Sequence, residues 1–495
     1  MKKSGKKPST TRRFPKLQPQ YGGILRIGNT TLLPPRMGVP GRINVGTQQL
    51  EPIVEHFLRV DKTGQLLPHL IESFEYSEDG LQITLQARKN IKFHDNTNFD
   101  AKAVKWNLMK ARETNGTLQL LSSVDIIDEY TVLLHMKCFD NHFMPTLAYS
   151  PGFVLSPTSY EKYGEEYVMT HPVGTGPFKF LSYEPDVKLA AERFDGYWQK
   201  GKPYLDKIET FYVRDMKTAA DWLRSGKVDA IVNINGESAV NLKAEGFVIQ
   251  ALPWTMEELL PDTKNPDSVL ADKRVRQAVE YAIDRPAIVK ALGHGYWQAL
   301  TQMANESVYG YDPSIEGRPY NPEKARQLLK EAGYPDGIEV HLIGGEGTEL
   351  EKIFVLIQKY LAGAGIQAEI QITDPALWKQ YRANKPWHNA MLFRHFSSDP
   401  NFTWSLFDFH SDREYGQTSV LRNFDNLIND ALQARDQDTL IKTTQRVVRH
   451  IYDEAIAIPL MLDSSIAAMS KKVHGLGYFE VHATKWTPWD TWIER

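Results

Sequence analysis

The clearest alternation of apolar and polar side chains lies in the segment "GLQITLQAR". Polar residues separate Leu81, Ile83, Leu85 and Ala87, and this period of two predicts a strand with one buried face. The tetrapeptide "SEDG" just before it is typical of a turn. The earlier segment "YGGILRIGN" likewise predicts a turn that leads into a short strand.

After "FHDNTN" the period changes from that of a strand to that of a helix. Ala101, Val104, Leu108 and Ala111 share one helical face, and Asp100 is placed to cap the first turn. The whole stretch "IKFHDNTNFDAKAVKWNLMKA" therefore predicts a strand, a polar turn and a capped helix.

The second half of the chain shows stronger helical patterns. In "DKRVRQAVEYAIDRPAIVKAL" apolar residues recur at helical spacing, and Asp284 is placed to cap a second helix with Pro286 in its first turn. In "NPEKARQLLKEAGYPDG" we expect Asn321 to cap a helix, Pro322 to occupy its first position and Gly333 to end it. The strand-like segments "GIEVHLIG" and "GIQAEIQI" flank a further long helix, and this alternation predicts an α/β fold.

Composition narrows the class of protein. The 495 residues correspond to roughly 2–4 domains, and 42% hydrophobic with 24% charged residues is the balance of a chain that buries a full core. A net charge of −3 gives no general attraction to nucleic acid. The single cysteine, Cys138, excludes an internal disulfide and a cysteine-based zinc site.

Residues 1–19 are basic and rich in Ser, Thr and Pro, with seven Lys and Arg, and they lack the apolar core of a secretory signal. We expect a flexible, solvated tether. No apolar run in the chain approaches the roughly 18 residues that a membrane-spanning helix needs.

Catalytic motifs are not found. The chain has no G-x-S-x-G elbow and no H-E-x-x-H, and "GTGPFKF" lacks the Lys-Ser/Thr step of a phosphate-binding loop. The neighbouring His94 and Asp95 are a candidate pair, but adjacent side chains usually point apart and an Asp in a turn accepts backbone N–H groups. We therefore expect a structural turn there rather than catalysis.

Three histidines lie near one another in sequence, namely His388, His395 and His410. Their spacings of 7 and 15 residues match no standard template for metal ligands. We expect surface or core histidines, and we predict neither a metal site nor a cofactor.

Seven segments in order resemble the signature of the family 5 extracellular solute-binding proteins, the peptide-, opine- and nickel-chelate-binding receptors of ABC importers. The resemblance covers the chain from about Gly22 to beyond Val473, and in the first segment Asn96 stands where the family usually has Gly. The segments are "GQLLPHLIESFEYSEDGLQITLQARKNIKFHDNTNFDAKAVKW", "VGTGPFKF", "FDGYWQKGKPYLDKIE", "LRSGKVDA", "DKRVRQAVEYAIDR", "RPYNPEKARQLLKEAGYPDG" and "EAIAIPLML".

The resemblance implies an α/β, two-lobed fold of the periplasmic-binding-protein type, class II and cluster C-like, with an extra inserted domain. Lobe I is expected to comprise residues 20–45, 169–255 and 473–495, the inserted domain residues 46–168, and lobe II residues 256–472. Such lobes close over a ligand around a hinge, so the lack of a catalytic constellation is expected.

At one position where the family carries a carboxylate, this chain has a different residue. In the peptide-binding branch, an Asp shortly before a D-P or E-P step binds the ligand's amino group. In "NAMLFRHFSSDPNF" this position is Phe396, and Arg394 lies two residues earlier. An arginine in a cleft prefers a carboxylate or phosphonate partner, although Arg394 could instead pair with a structural acid.

The resemblance implies five further ligand contacts. Trp378 matches a family Trp that stacks on the ligand, with a core position as the alternative. Arg36 and Met37 lie in the loop after the first strand, where family members place ligand-facing residues. Tyr149 lies where another pocket wall forms. Asp262 stands where Asn is frequent, and it could receive an amine or only satisfy backbone donors.

The resulting hypothesis is an extracytoplasmic receptor that binds a small organic solute with an anionic group and delivers it to the transmembrane subunits of an ABC importer. An oligopeptide, metal-chelate or sugar receptor remains an alternative, the last because of Trp378, Trp387 and Trp404; an α/β hydrolase is a remote one. We expect a monomer without enzymatic activity and without a nucleic-acid partner. The N-terminal segment fits a lipoprotein whose anchoring cysteine has been removed, so membrane association is expected only through a lipid anchor.

Overall fold

The predicted α/β architecture is present in the computed structural model, which describes residues 18–31, 36–42, 47–115, 117–383, 387–397, 424–478 and 486–495. The strands are β1 (Ile24–Asn29), β2 (Glu55–His56), β3 (Leu58–Val60), β4 (Leu66–Pro68), β5 (Ile71–Tyr76), β6 (Gln82–Ala87), β7 (Leu121–Ile126), β8 (Thr131–Met136), β9 (Phe153–Val154), β10 (Phe178–Glu184), β11 (Lys188–Arg193), β12 (Lys207–Tyr212), β13 (Ala230–Val232), β14 (Val248–Pro261), β15 (Gln298–Ala299), β16 (Ile338–Gly345), β17 (Ile366–Thr373), β18 (Ala390–Ser397), β19 (Ile458–Met469), β20 (Val473–His474) and β21 (Trp492–Ile493). The α-helices are α1 (Ala101–Arg112), α2 (Phe143–Thr146), α3 (Pro157–Val168), α4 (Met216–Arg224), α5 (Gly236–Ala244), α6 (Lys273–Ala282), α7 (Arg285–Leu292), α8 (Pro322–Glu331), α9 (Thr348–Gly363), α10 (Pro375–Ala383), α11 (Phe424–Leu432) and α12 (Gln437–Glu454).

One large sheet organises the described part of the chain. Its strand order is β10-β11-β12-β1-β13-β19-β14-β18-β16-β17, and β15 also pairs with β19. The two longest strands, β14 with 14 residues and β19 with 12, are antiparallel neighbours. One end of β19 pairs with β13 and one end of β14 pairs with β18. This strand pair therefore joins a first half of the sheet (β10, β11, β12, β1 and β13) to a second half (β18, β16 and β17).

The capped helix predicted after the polar turn is confirmed as α1. Asp100 accepts a hydrogen bond from the backbone N–H of Ala103 at 3.0 Å, and the four residues of the predicted apolar face are all buried. The helix packs on a separate four-stranded sheet of order β5-β6-β8-β7. Leu81 differs from its prediction, because it is 40% exposed and precedes β6. Its N–H bonds the side chain of Asp79 within the turn.

The helix signals of the second half are also confirmed. Asp284 accepts from the N–H of Ala287 at 3.0 Å, and Asn321 accepts from the N–H of Lys324 at 2.9 Å. Gly333 has a φ of +97° just beyond α8, a conformation that favours glycine over residues with a Cβ atom. Local capping chemistry therefore explains where these helices begin and end.

Two buried arginines explain why the segment "DKRVRQAVEYAIDR" combines charged with apolar residues. Arg276 donates to the carbonyl oxygens of Leu270, Ala271, Glu454 and Ala455 at 2.7–3.1 Å. These carbonyls lie in the chain before α6 and in the turn that connects α12 to β19. Glu280, in the same helix α6, forms a buried ion pair of 2.8 Å with Arg318. Arg285, the first residue of α7, donates to the carbonyl of Pro459 in β19.

A docking contact connects the region of β5–β8 to the segment between α11 and α12. Arg435 donates to the carbonyls of Glu78 and Asp79 at 2.9 and 2.7 Å, and its guanidinium lies 4.7 Å from the ring centre of Phe139. Asn141 donates to the carbonyls of Ala431 and Ala434, at the C-terminal end of α11. The contact is therefore a second connection between distant parts of the chain, in addition to the pairing of β14 with β19.

No helix in the described ranges has both the length and the apolar character needed to cross a membrane.

Replacing Arg276 by Met is expected to lower the free energy of unfolding by about 3 kcal/mol, because several buried carbonyls lose their donor and each such loss costs roughly 1–3 kcal/mol. Chemical denaturation followed by circular dichroism measures this change. The matched control is Arg326→Met, since Arg326 is an arginine on α8 with a side chain 49% exposed. Equal stability of both variants would contradict the structural role assigned to Arg276.

Replacing Arg435 by Ala is expected to weaken the docking contact by about 1 kcal/mol, a roughly fivefold shift toward the undocked form. Cys138 is exposed and next to Phe139, so a fluorophore on this single thiol reports the contact through its emission. Arg446→Ala, which removes an exposed arginine of α12, is the control. An emission spectrum that neither variant alters would refute this assignment.

Candidate functional site

A cleft of about 970 Å³ lies between the two halves of the sheet. Residues from both halves and from the joining strands surround it; they include Thr31, Gln48, Arg214, Asn233, Asn235, Trp254, Glu257, His294, Trp297, Glu349, Phe393, His395, Met461, Asp463 and Ser464. A second cavity, of about 800 Å³, is lined only by residues between Lys92 and Glu161. Only the first of these two cavities lies where a movement of one half relative to the other would open or close it.

Three helices point their N-terminal ends at the cleft. Its lining residues include Met216 at the start of α4, Gly236 at the start of α5 and Glu349 in the first turn of α9. The N-terminal end of a helix carries a partial positive charge and attracts anions. The cap of α4 is the carboxylate of Asp215, whereas the cap of α5 is the uncharged amide of Asn235. The cap of α5 thus adds no charge, whereas the first turn of the same helix carries the acid Glu237.

The floor of the cleft is formed where β14 and β19 lose their regular pairing. The ladder shifts register between Pro253 and Met256. There the N–H of Thr255 donates to the Asp463 side chain at 2.9 Å. The hydroxyl of Thr255 lies 2.7 Å from Asp463 Oδ1 and 3.0 Å from Glu257 Oε1. A single threonine thus holds two carboxyl groups at the same point of the cleft.

Burial perturbs the ionisation of both acids. Desolvation, followed by the charge of Asp463, raises the pKa of Glu257 well above its ordinary value. Desolvation also raises the pKa of Asp463, against the opposing effect of its hydrogen bonds from Thr255. The physical cause is that two negative charges in one water-poor site repel each other and lack hydration. The pair therefore retains a proton more readily than isolated acids would.

His395 lies beside Glu257, directly opposite it in the β14–β18 ladder. Desolvation within the cleft, and then the positive charges of Arg382 and Arg394, lower the pKa of His395 to about 4. The imidazole is therefore neutral at neutral pH and adds no positive charge to balance Glu257 or Asp463.

Part of β18 has a partner strand on one side only among the described residues. β18 pairs with β14 from Met391 to Ser397, but with β16 only from Ala390 to Leu392. Phe393 and His395, which line the cleft, belong to the part that is paired on one side only. An extended ligand can bind such an edge through its own amide groups.

The residues suggested by the family resemblance are not among the described residues that line the cleft. Met37 is fully buried in the core of the first half, whereas Arg36 is exposed. Tyr149 packs against the core beneath the four-stranded sheet. With no solute present, their ligand contacts stay predictions.

The remaining suggested residues belong to the second half. Arg394 is buried and lies opposite Glu258 across the β14–β18 ladder, which favours the alternative of a structural acid as its partner. Trp378 belongs to α10 and packs against the core of the second half. Its ring lies 3.4 Å from the position that a Cβ atom would take at Gly345. Asp262 accepts from the N–H of Asn265 at 3.4 Å just after β14. The backbone of Phe396 pairs with Met256, but its side chain lies outside the described residues.

His94 and Asp95 hold the polar turn, as predicted. Desolvation lowers the pKa of His94 to about 4; its Nε2 donates to the carbonyl of Gly176 at 3.0 Å, and Nδ1 accepts from the N–H of Gly174. Asp95 accepts from the hydroxyls of Thr97 and Ser156, each at 2.5 Å. Both nitrogens of a neutral imidazole are thus engaged, which leaves neither free for proton transfer.

The histidines singled out by their closeness in sequence are separate in space or undescribed. His388 Nδ1 accepts from the amide of Asn265 at 2.5 Å, whereas His395 lines the cleft and His410 lies outside the described residues. Within the described ranges, no three His, Cys, Asp or Glu side chains are grouped to hold a metal ion. Trp387 is 5% exposed in the core of the second half, and Trp404 is not described.

Sequence reasoning missed the two carboxyl groups at the floor of the cleft. Glu257 interrupts the strand-like segment "PWTMEELLP", and Asp463 follows the apolar run "AIAIPLML". An acid inside an apolar strand is costly unless it has a partner or a function. That local anomaly was the available signal.

Comparison with known proteins agrees with this geometry. The sequence profile described as "Bacterial extracellular solute-binding proteins, family 5 Middle" matches residues 65–416. A curated relative, the glutathione-binding protein GsiB of Shigella flexneri, is 32% identical over 439 residues, which is 84% of each chain.

Solved structures show the same fold. The periplasmic binding protein DppA of Helicobacter pylori, in complex with the peptide STSA, has a TM-score of 0.81 at 23% identity and covers 96% of this chain and 99% of its own. NikA of Brucella suis, in complex with Fe(III)-EDTA, has a TM-score of 0.84 at 19% identity and covers 95% of this chain and 100% of its own.

The fold and the cleft define a two-lobed α/β binding protein of the periplasmic type. The chain belongs to family 5 of the bacterial extracellular solute-binding proteins, the substrate-binding receptors of ABC importers.

Replacing Glu257 by Gln is expected to change how stability depends on pH. The folded protein binds the Glu257 proton more tightly than the unfolded chain does, because its pKa is raised from 4.5. Below pH 4.5, binding of this proton contributes its full amount to the free energy of unfolding. The contribution is lost as the pH rises toward the pKa of Glu257 in the folded protein, by at most about 1.4 kcal/mol per pH unit. The variant lacks this loss, so its Tm relative to the unmodified protein should rise between pH 4.5 and pH 8.

Differential scanning fluorimetry across this pH range measures the effect, with Glu323→Gln as the control because Glu323 is 76% exposed on α8. A pH-independent Tm difference for Glu257→Gln would show that Glu257 ionises normally.

Proposed function

We propose that this receptor binds a small organic solute carrying at least one anionic group in the cleft between the halves of the sheet. The observation that carries the proposal is the convergence of α4, α5 and α9 on one cleft built by both halves. Partial positive charges at these helix ends favour a carboxylate or a similar anion. Arg214, at the mouth of the cleft with a side chain 75% exposed, adds a full positive charge.

The chemistry of the solute follows from two further observations. The one-sided edge of β18 suits a solute with amide groups in an extended backbone. The GsiB relatives are glutathione-binding proteins, and glutathione is an anionic, amide-containing tripeptide. Both observations favour an amino-acid-derived solute of that size over a sugar.

The receptor works by closing rather than by chemistry. We propose that lobe I (residues 20–45, 169–255 and 473–495), which carries the inserted domain (46–168), moves relative to lobe II (256–472). The register shift in β14 between Pro253 and Met256 coincides with the boundary at residue 255. A solute shifts such an equilibrium only by binding the closed form more tightly, so no enzymatic step is required.

The remaining elements of the proposal concern location and partners. The chain acts outside the cytoplasmic membrane as a monomer, attached at most by a lipid anchor, and hands its solute to the membrane subunits of an ABC importer. The family's description as extracellular solute-binding proteins supports this location.

Isothermal titration with reduced glutathione, di- to pentapeptides and a neutral trisaccharide tests the proposed class of solute. We expect micromolar or tighter binding of an anionic, amino-acid-derived solute and no binding of the sugar. Tight binding of peptides regardless of their sequence would refute the proposed selectivity. Binding of the neutral sugar would refute the proposal that the solute must carry an anionic group. Native mass spectrometry of the purified protein identifies any co-purified solute directly.

A pair of charge variants tests the position of the anion. Asn235→Asp keeps a helix cap but places a negative charge at the N-terminal end of α5. It should therefore lower the affinity for an anionic solute about fivefold, the equivalent of about 1 kcal/mol. Asp215→Asn removes a negative charge at the neighbouring cap and should strengthen binding. Identical affinities of the two variants would exclude these helix ends as the anion site.

A further inference from the structure

We propose that Glu257 and Asp463 together receive a cationic nitrogen of the solute, an ammonium or a guanidinium group, at the floor of the cleft. The inference rests on the proposed function and deepens it, because it makes the solute zwitterionic. An anionic group would then lie toward the helix ends and the cationic group toward the strands that join the two halves.

The first argument is a count of protons around Thr255. Its hydroxyl lies within hydrogen-bond distance of two carboxyl oxygens, at 2.7 Å from Asp463 and 3.0 Å from Glu257. A hydroxyl has one proton and donates to one acceptor at a time. With its backbone N–H, which donates to Asp463 at 2.9 Å, Thr255 offers two protons to two carboxyl groups that have four oxygens between them. A cation with several N–H groups supplies donors for the oxygens that Thr255 leaves.

The second argument is an oxygen that has no partner. Glu257 Oε2 is enclosed and accepts no hydrogen bond from any described residue, while Oε1 of the same carboxyl contacts Thr255. A buried acceptor without a donor is costly. Because Glu257 lines the cleft, a solute that enters it is the group able to reach this oxygen.

The third argument is the balance of charge along the walls. Among the described lining residues, the acids are Asp215, Glu237, Glu257, Glu349 and Asp463, whereas the side chain with a permanent positive charge is Arg214. Arg214 is 75% exposed and lies 3.9 Å from Asp186 outside the cleft. No permanent positive charge among the described lining residues lies against Glu257 and Asp463. An ammonium that takes the place of the proton retained by the pair, which is released to solvent, forms charge-assisted hydrogen bonds with both acids.

The position of the pair links recognition to closure. Glu257 belongs to β14 and Asp463 to β19, at the point where the two strands shift register. A nitrogen bound to both acids would connect the two joining strands and remove their mutual repulsion. The geometry therefore assigns these acids to the recognition of the cationic group.

Calorimetric titration with reduced glutathione and with N-acetylglutathione, which lacks the free ammonium, tests the inference. The unmodified protein should bind the free amine at least about tenfold more tightly. Glu257→Gln and Asp463→Asn should each bring the two affinities together, while Glu323→Gln should keep the preference. Equal affinities of both compounds for the unmodified protein would overturn the inference without the need for any variant to fold.

The remaining outcomes separate this inference from the proposed function. Retained preference for the free amine in both folded variants would overturn the inference while the receptor function stands. Failure of both compounds to bind the unmodified protein also overturns it for this solute, and native mass spectrometry then identifies the co-purified molecule. A molecule with an anionic group but no cationic nitrogen contradicts only the inference, whereas a neutral sugar contradicts the proposed function as well.

Discussion

The pairing of β14 with β19 is the interaction on which the rest of the molecule depends. These two strands are the path by which the large sheet passes from one half to the other. A regular ladder along their whole length would make the two halves one stiff body. The shift near Pro253 replaces a ladder bond by one from Thr255 to the Asp463 side chain, and irregular pairing of this kind bends and twists strands locally. The cleft lies at this break in the ladder.

The same irregularity explains why costly acids are kept in the interior. In an unbroken ladder, Glu257 and Asp463 would lie among apolar side chains with no advantage. At the break they line a cleft of about 970 Å³ that also receives three helix N-termini. Under the two proposals, an anionic group lies at the helix ends and a cationic group at the acids. A receptor that needs both charges rejects neutral molecules of the same size, because each unmatched group would stay buried without a partner.

Much of the fold follows from local signals in the sequence, whereas the cleft does not. Asp100, Asp284 and Asn321 cap helices where their residue types and the following apolar spacing predict them, since capping depends on a few neighbouring residues. The contact between Thr255 and Asp463 joins residues that are 208 positions apart, and no local pattern encodes it. The family resemblance suggested Met37 as a ligand contact, but it could not show that this side chain is buried in a core. Side-chain direction depends on packing that a motif does not contain.

The energetic role of the docking contact follows from this arrangement. Arg435 and Asn141 bond backbone carbonyls rather than carboxylates, so the contact consists of a few hydrogen bonds and does not depend on the ionisation of an acidic partner. A strong contact would hold the two regions together without a solute, and the solute would then shift nothing. With a contact of only a few hydrogen bonds, the equilibrium between open and closed forms depends mainly on how the solute binds in the cleft. The proposed function therefore divides two tasks between two places: the docking contact has to stay modest so that movement is possible, and the groups at the joining strands have to discriminate between solutes.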